Sequence, residues 1–243
     1  ASFGKFLVRG YDQLELALIS GFGLKLVGSH SGATAAADGP SQMALADVGF
    51  LRALSTVHAR DGEPLLYVLN PADARAAYGL TLAMAEHPGA VYLRTHRPDV
   101  RPVYTDGQTF TLGGHHVLAE GEHVLLVAWG YLVQEALAAR ELLQRHGIRA
   151  GVVDLYSLPF DGHALAEVAT RSGRRVLTVE DNYGAAMGSA VADVLAAHLG
   201  EVHVEQMFVR RLPKSARDHD QQLQQLGLSA QHVAANAQRI VRG

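Results

Sequence analysis

The chain has 243 residues, 48% of them hydrophobic, with a formal charge of −3 and no cysteine. Its size and apolar content can fill one or two domain cores, and its scattered charges leave no basic stripe for nucleic-acid phosphates. The lack of Cys excludes disulfides, thiolate nucleophiles and Cys-ligated clusters and makes the cytoplasm the default, while apolar runs such as residues 124–129 are far too short to cross a membrane.

In chain order, residues 3–20 read as a helix, 24–28 as a strand, 42–54 as a helix and 65–69 as a buried strand. Pro71 starts a helix to about residue 87, and 90–94 is a strand. The pattern then breaks into Pro, Gly, Thr and His between Arg97 and Gly121, which places a linker at 111–122. A second block follows: strand 123–129, a turn at Gly130, helix 132–146 ended by Gly147, and strand 149–155. Asp161 opens a helix to about 171, then come strand 175–180, helix 185–199, strand 202–209 and a final helix N-capped by Ser229. Alternating strands and helices predict an α/β fold with two consecutive parallel-sheet domains, 1–110 and 123–243. The second is complete, whereas the first lacks an opening strand and helix. The absence of an initiator Met fits a processed, truncated or partly observed chain.

Phe3, Phe6 and Arg9 are three apart and share one helix face, which by spacing alone suits an ordinary amphipathic helix. His30 follows a strand, where open α/β sheets meet ligands, although a lone His is more often structural. Asp38-Gly39-Pro40 reads as a turn and Gln42 as a solvated first-turn residue. Arg97 lies just past a strand end, where a surface charge is the usual outcome; Arg94 and His96 are weaker candidates.

Other signals lead nowhere. Gly21-Phe22-Gly23 precedes a strand and is no dinucleotide fingerprint, and no Gly-rich loop runs into Lys-Ser or Lys-Thr. His115-His116 has no Glu or Cys at metal spacing and reads as solvent-exposed.

Two segments together, Ser2-Phe3-x-x-Phe6-x-x-Arg9-x-Tyr11-Asp12-Gln13 and Gly28-Ser29-His30-Ser31-Gly32 with Asp38-Gly39-Pro40-Ser41-Gln42-Met43, resemble transketolases, thiamine diphosphate enzymes. The resemblance covers nearly the whole chain: first the later part of a pyrimidine-binding domain, then the transketolase C-terminal domain. It implies that Phe6 stacks on the cofactor's aminopyrimidine ring, that Phe3 lines the same pocket, and that Gln42 contacts the cofactor. It also implies that His30 helps bind a sugar phosphate, Asp38 accepts a hydrogen bond from a substrate hydroxyl, and Arg97 clamps the phosphate. Glu180-Asp181-Asn182-Tyr183 and Arg211-Leu212-Pro213-Lys214-Ser215 resemble the C-terminal domain, whose role is architecture and dimer contacts, so they are assigned no chemistry.

The sequence departs from the pattern at Ala37, where many transketolases have Glu. The family's essential Glu is expected about two dozen residues before Phe6, upstream of Ala1, so no residue here is assigned as catalytic. The diphosphate and its divalent metal, Mg2+ or another, belong to a different domain. The resemblance therefore implies the C-terminal subunit or fragment of a split transketolase, self-associating into a dimer core and active only with an N-terminal partner. Rivals are a scaffold or regulatory subunit without the Glu, and another thiamine enzyme such as a 2-oxo acid dehydrogenase β subunit or deoxyxylulose phosphate synthase; the loop from His30 to Gln42 argues against both of these enzymes.

Overall fold

The computed structural model describes residues 3–243; Ala1 and Ser2 lie outside the described residues. A 3-10 turn at Gly4–Gly10 leads into α1 (Tyr11–Ile19), β1 (Lys25–Gly28), a second 3-10 turn at Ala33–Asp38, α2 (Asp47–Ser55), β2 (Leu66–Leu69), α3 (Ala74–Glu86) and β3 (Ala90–Arg94). After the Pro- and Gly-rich stretch come β4 (His116–Ala119), β5 (Val124–Ala128), α4 (Leu132–Gln144), β6 (Ala150–Asp154), β7 (Ser157–Leu158), α5 (Gly162–Arg171) and β8 (Arg175–Val179). The chain ends with α6 (Met187–His198), β9 (His203–Met207), α7 (His219–Leu226) and α8 (Ala230–Arg242).

Two sheets form, in the order β1-β3-β2-β7 and β4-β6-β5-β8-β9. Both are parallel except at one edge: β7 runs antiparallel to β2, and β4 antiparallel to β6. The central strands β2, β3, β5 and β6 are buried along their whole length, as expected of parallel strands covered on both faces. Alternation along β5 sends Val124, Leu126 and Ala128 into one apolar core and Leu125 and Val127 into the other. Each of those two cores also takes residues from the first sheet, Leu69 and Leu93 in one, Leu66 and Val68 in the other. The two halves are thus packed as one body.

Local chemistry moves several expected boundaries. The first helix is split because Gly4 N–H donates to Ser29 O (2.7 Å) and the turn winds as 3-10 before α1 begins. With three residues per turn, positions three apart eclipse: the Phe3 and Phe6 ring centroids lie 6.0 Å apart, and the Arg9 guanidinium covers Phe6 at 4.7 Å. The second helix opens at Asp47 and not at Gln42, because Gly32 N–H and Arg94 claim the Ala44 carbonyl and Tyr183 N–H claims that of Leu45. Carbonyls already bonded to outside donors cannot build a helical ladder. Pro71 stands ahead of α3, whose cap is Asp73: Oδ1 accepts from Ala76 N–H (2.8 Å).

Ser229 occupies the N-cap position of α8, but its hydroxyl pairs with His232 Nδ1 (2.7 Å), and Ala230 N–H donates to Glu135 of α4 (2.6 Å). Helix α8 is strongly amphipathic and buries Ala230, Val233, Ala234, Ala237 and Ile240. Helix α7, absent from the sequence expectation, is capped by Asp218, which accepts from Gln221 N–H (2.8 Å), and closed by Gly227 at φ +71°.

Candidate functional site

The carboxyl ends of the strands in both sheets face one another across the junction of the two halves, the place where open α/β sheets bind ligands. Past β1 come Ser29 and His30; past β3 come Thr95, His96 and Arg97. The two loops are tied together, because Ser31 N–H and Oγ both donate to Thr95 O (3.1 and 3.0 Å) and Thr95 N–H donates to Gly28 O (3.0 Å).

The sequence candidates fall into two groups. Phe3, Phe6 and His30 form an aromatic wall: the His30 ring stacks on Phe3 at 4.2 Å, and Ser29 Oγ joins them by accepting from Phe3 N–H (3.0 Å) and pairing with His30 Nδ1 (3.0 Å). Phe3 and His30 both hold left-handed backbone, φ +58° and +54°. Non-glycine residues adopt it at a cost on the order of 1–3 kcal/mol. Asp38 and Arg97 form the second group, joined by an ion pair of 2.5 Å between partly exposed side chains. Arg97 lines a cleft of about 310 Å³ with Thr34, Ala36, Ala37, Arg217, Asp218 and His219. Gln42 is half-buried in a turn, its amide oxygen accepting from Ser41 Oγ.

Arg94 and His96 belong to a buried network behind that surface. Arg94 donates to Asp47 (3.0 Å), Asn182 (3.2 Å) and Ala44 O (3.2 Å), and its guanidinium stands 5.7 Å from the Trp129 ring. His96 Nε2 accepts from Tyr131 N–H (3.2 Å). With the Asn70 amide rotated to satisfy its neighbours, its nitrogen donates to His96 Nε2 (2.9 Å) and its oxygen accepts from Arg94 (3.1 Å) and Trp129 Nε1 (3.3 Å). Burial and the nearby Arg94 push the His96 imidazole down to about 3, so it stays neutral.

Glu180 and Asp181, fully buried at the end of β8, also enter this junction. Glu180 accepts from Met187 and Gly188 N–H (3.0 and 2.9 Å) at the start of α6, and burial raises it to about 7. Asp181 Oδ2 accepts from Ala33 N–H (3.0 Å) across the junction, and burial raises its carboxyl in spite of Arg94. Sequence reading passed over Asp181, Arg217 and His219; the acidic cluster just past a strand end was the available signal. His115 and His116 are not solvent-exposed. Both are half-buried, and His116 packs among Tyr104, Phe110 and Tyr156 with centroids 4.9–5.2 Å away.

Chemically, the aromatic wall suits a flat ring. The neighbouring guanidinium–carboxylate pair suits a ligand carrying both an anionic group and hydroxyls. Among the described residues no cluster of His, Asp and Glu could hold a metal ion.

Residues 1–102 match the family described as the transketolase pyrimidine binding domain, and residues 113–233 match the transketolase C-terminal domain. Transketolase of Homo sapiens is 32% identical over 221 residues, covering 89% of this chain and 34% of the human protein. Transketolase-like protein 1 of Bos taurus is 31% identical over 244 residues, 99% of this chain and 39% of the bovine one. Among solved structures, one described as a split-gene transketolase, inactive beta4 tetramer, superposes with a TM-score of 0.83 at 29% identity, over 99% of this chain and 75% of that one. A transketolase from Pichia stipitis, 19% identical with a TM-score of 0.74, shares the fold. The chain spans less than two fifths of the length of these curated relatives.

Proposed function

The chain belongs to the transketolase family, and from that premise we propose that it is the C-terminal subunit of a split transketolase, transferring a two-carbon ketol unit from a ketose phosphate to an aldose phosphate. The observation that carries this reading is the Asp38–Arg97 pair, with Arg97 lining a 310 Å³ cleft, on loops tied through Ser31 and Thr95 to the aromatic wall of Phe3, Phe6 and His30. Polyol phosphates present both functions that such a pair can meet.

Thiamine diphosphate fits the donor set present, since Phe3 and Phe6 supply an apolar wall for its aminopyrimidine and Gln42 stands within the same loop system. When bound, the cofactor supplies the nucleophilic carbon and electron sink of ketol transfer. The chain's own residues bind and orient. Arg97 leaves Asp38 for the substrate phosphate, where its planar fork forms paired charge-assisted hydrogen bonds. Asp38, thereby freed, accepts from a substrate hydroxyl, and a sugar with that hydroxyl misplaced leaves the carboxylate unpaired. His30, held by Ser29 and Phe3, faces the same substrate.

The diphosphate and its divalent cation sit on an N-terminal partner in this reading, two copies of the chain form a dimer core, and the assembly is cytoplasmic. The similar split-gene transketolase, described as an inactive beta4 tetramer, supports partner dependence. The test is a ketol-transfer assay on the full-length protein, with and without the N-terminal subunit, thiamine diphosphate and Mg2+. Turnover only in the complete mixture is expected; none in the complete mixture overturns the reading in favour of a scaffold subunit.

A further inference from the structure

We propose that Asp181, in the C-terminal half, is a positioning residue of the substrate loop: its carboxylate fixes the start of the 3-10 turn that ends at Asp38. The inference rests on the functional reading above for what the loop binds.

The turn Ala33–Asp38 is only six residues long and receives no side-chain cap from Gly32, its own N-cap residue. The leading N–H groups of any helical turn lack partners within it and need an outside acceptor. Asp181 Oδ2 is that acceptor for Ala33, from 148 residues away in the sequence. The approach is close enough to exclude a side chain between them: a Cβ on Gly32 would run into the Asp181 carboxylate, and Gly32 holds φ +65° besides. A second tether comes from the same half, because Ala216 N–H donates to Ala36 O (3.0 Å) and Ser215 Oγ crowds Gly39.

Asp181 is 1% exposed, its Oδ1 is buried without a hydrogen-bond partner, and its charge is faced by Arg94, which is itself held by Asp47 and Asn182. Burying a carboxylate with one oxygen unbonded is unfavourable; Arg94 offsets part of the charge, and the hydrogen bond that the Asp181 side chain makes is the one to Ala33 of the loop. With Ser31 bonded to Thr95 on the β3 side, the loop is gripped at its start by both halves and at Ala36 by the second half alone. The distance from Asp38 to Arg97 is therefore set across the junction.

The test compares D181A and D181N in the complete assembly. Loss of one buried hydrogen bond at the loop should raise KM for the donor sugar phosphate about tenfold in D181A, with kcat and thiamine diphosphate affinity within about twofold. D181N, whose amide oxygen still accepts from Ala33, should keep a near-wild-type KM. A purely structural role would lower the fraction of active enzyme and leave KM alone. Amide hydrogen exchange at Ala33 and Thr34 in the purified chain should speed up in D181A and stay slow in D181N. A folded D181A with unchanged KM overturns the proposal, as does a D181N that behaves like D181A. If D181A does not fold, D181L keeps the bulk of the side chain without an acceptor for Ala33, and an unchanged KM there overturns the proposal equally. If the wild-type assembly transfers no ketol unit, the functional reading fails separately, and the exchange rates alone decide whether Asp181 holds the loop.

Discussion

Two arginines three residues apart, Arg94 and Arg97, each pair with an aspartate, and the two pairs are physically opposite. Arg94 and Asp47 are 0% and 1% exposed, and Arg94 has further partners in Asn182 and Ala44 O. Arg97 and Asp38 are 45% and 35% exposed, and Arg97 lines a cleft. A buried pair cannot release its partner without stranding a charge in the interior, so it is a fixed part of the first half, from which Arg94 reaches Asn182 of the second. An exposed pair is held by little net free energy and can be exchanged for a ligand. In the proposed function the same side chains thus serve structure or recognition according to depth, and the strand end at Arg94 marks the boundary.

The contrast breaks most visibly at Asp47. D47A should destabilise the fold by about 3–5 kcal/mol by removing the carboxylate to which the buried Arg94 donates, read as a lower urea midpoint at unchanged slope; a loss under about 1 kcal/mol would show that depth does not separate the pairs.

The pH dependence of stability sharpens the picture of the buried side. His96 is held neutral down to about 3, while the unfolded chain takes up a proton below about 6.5. Stability therefore falls as pH drops from about 6.5 towards 3. Asp154 works in the opposite sense. Burial raises it from 3.8 to about 8, so between those values the folded state holds a proton that the unfolded chain has released, and stability falls as pH rises through that window. Between about pH 4 and 6.5 the two oppose each other, so H96Q should make urea midpoints fall more steeply with rising pH in that range, and D154N should flatten the decline between about 6.5 and 8; slopes unchanged in both variants would contradict the assignment.

A smaller effect tests whether an acceptor's position or its type matters at α8. E135A should lose about 1 kcal/mol, as a helix cap does, whereas S229A should lose markedly less, since Glu135 and not Ser229 accepts from Ala230. Thermal melts of the two variants decide between them.

The smallest change in stability belongs to R97A, within about 0.5 kcal/mol, although KM for the sugar phosphate should rise steeply and R97K should restore little of it, because a lysine lacks the fork. A melting temperature that falls as far as that of D47A would erase the distinction.

Much of the fold was legible because the strands announce themselves. The apolar run of β5 and the residues of β3 leave no other period to choose, and the resemblance around His30 and Asp38 picked out a loop that the fold places at strand ends. Parallel β strands buried on both faces need no partner to be recognised. What stayed hidden depends on distant partners. Gln42 looked helical because nothing local reveals that Gly32, Arg94 and Tyr183 will claim the carbonyls of Ala44 and Leu45. Helix α7 carries little apolar periodicity, and only Asp218, Gln221 and Gly227 signalled it. Asp181 was dismissed as architecture because its partner, Ala33, lies on the other half.

The two-residue strand β7 has a consequence for how the molecule is made. It belongs by sequence to the second half yet completes the first sheet, bonding along β2 at Val68 and Leu69. During synthesis the first sheet has an open edge until residue 158 leaves the ribosome, long after the strands it covers have emerged. Completion of the first sheet on its β2 side is therefore timed by the arrival of the second half.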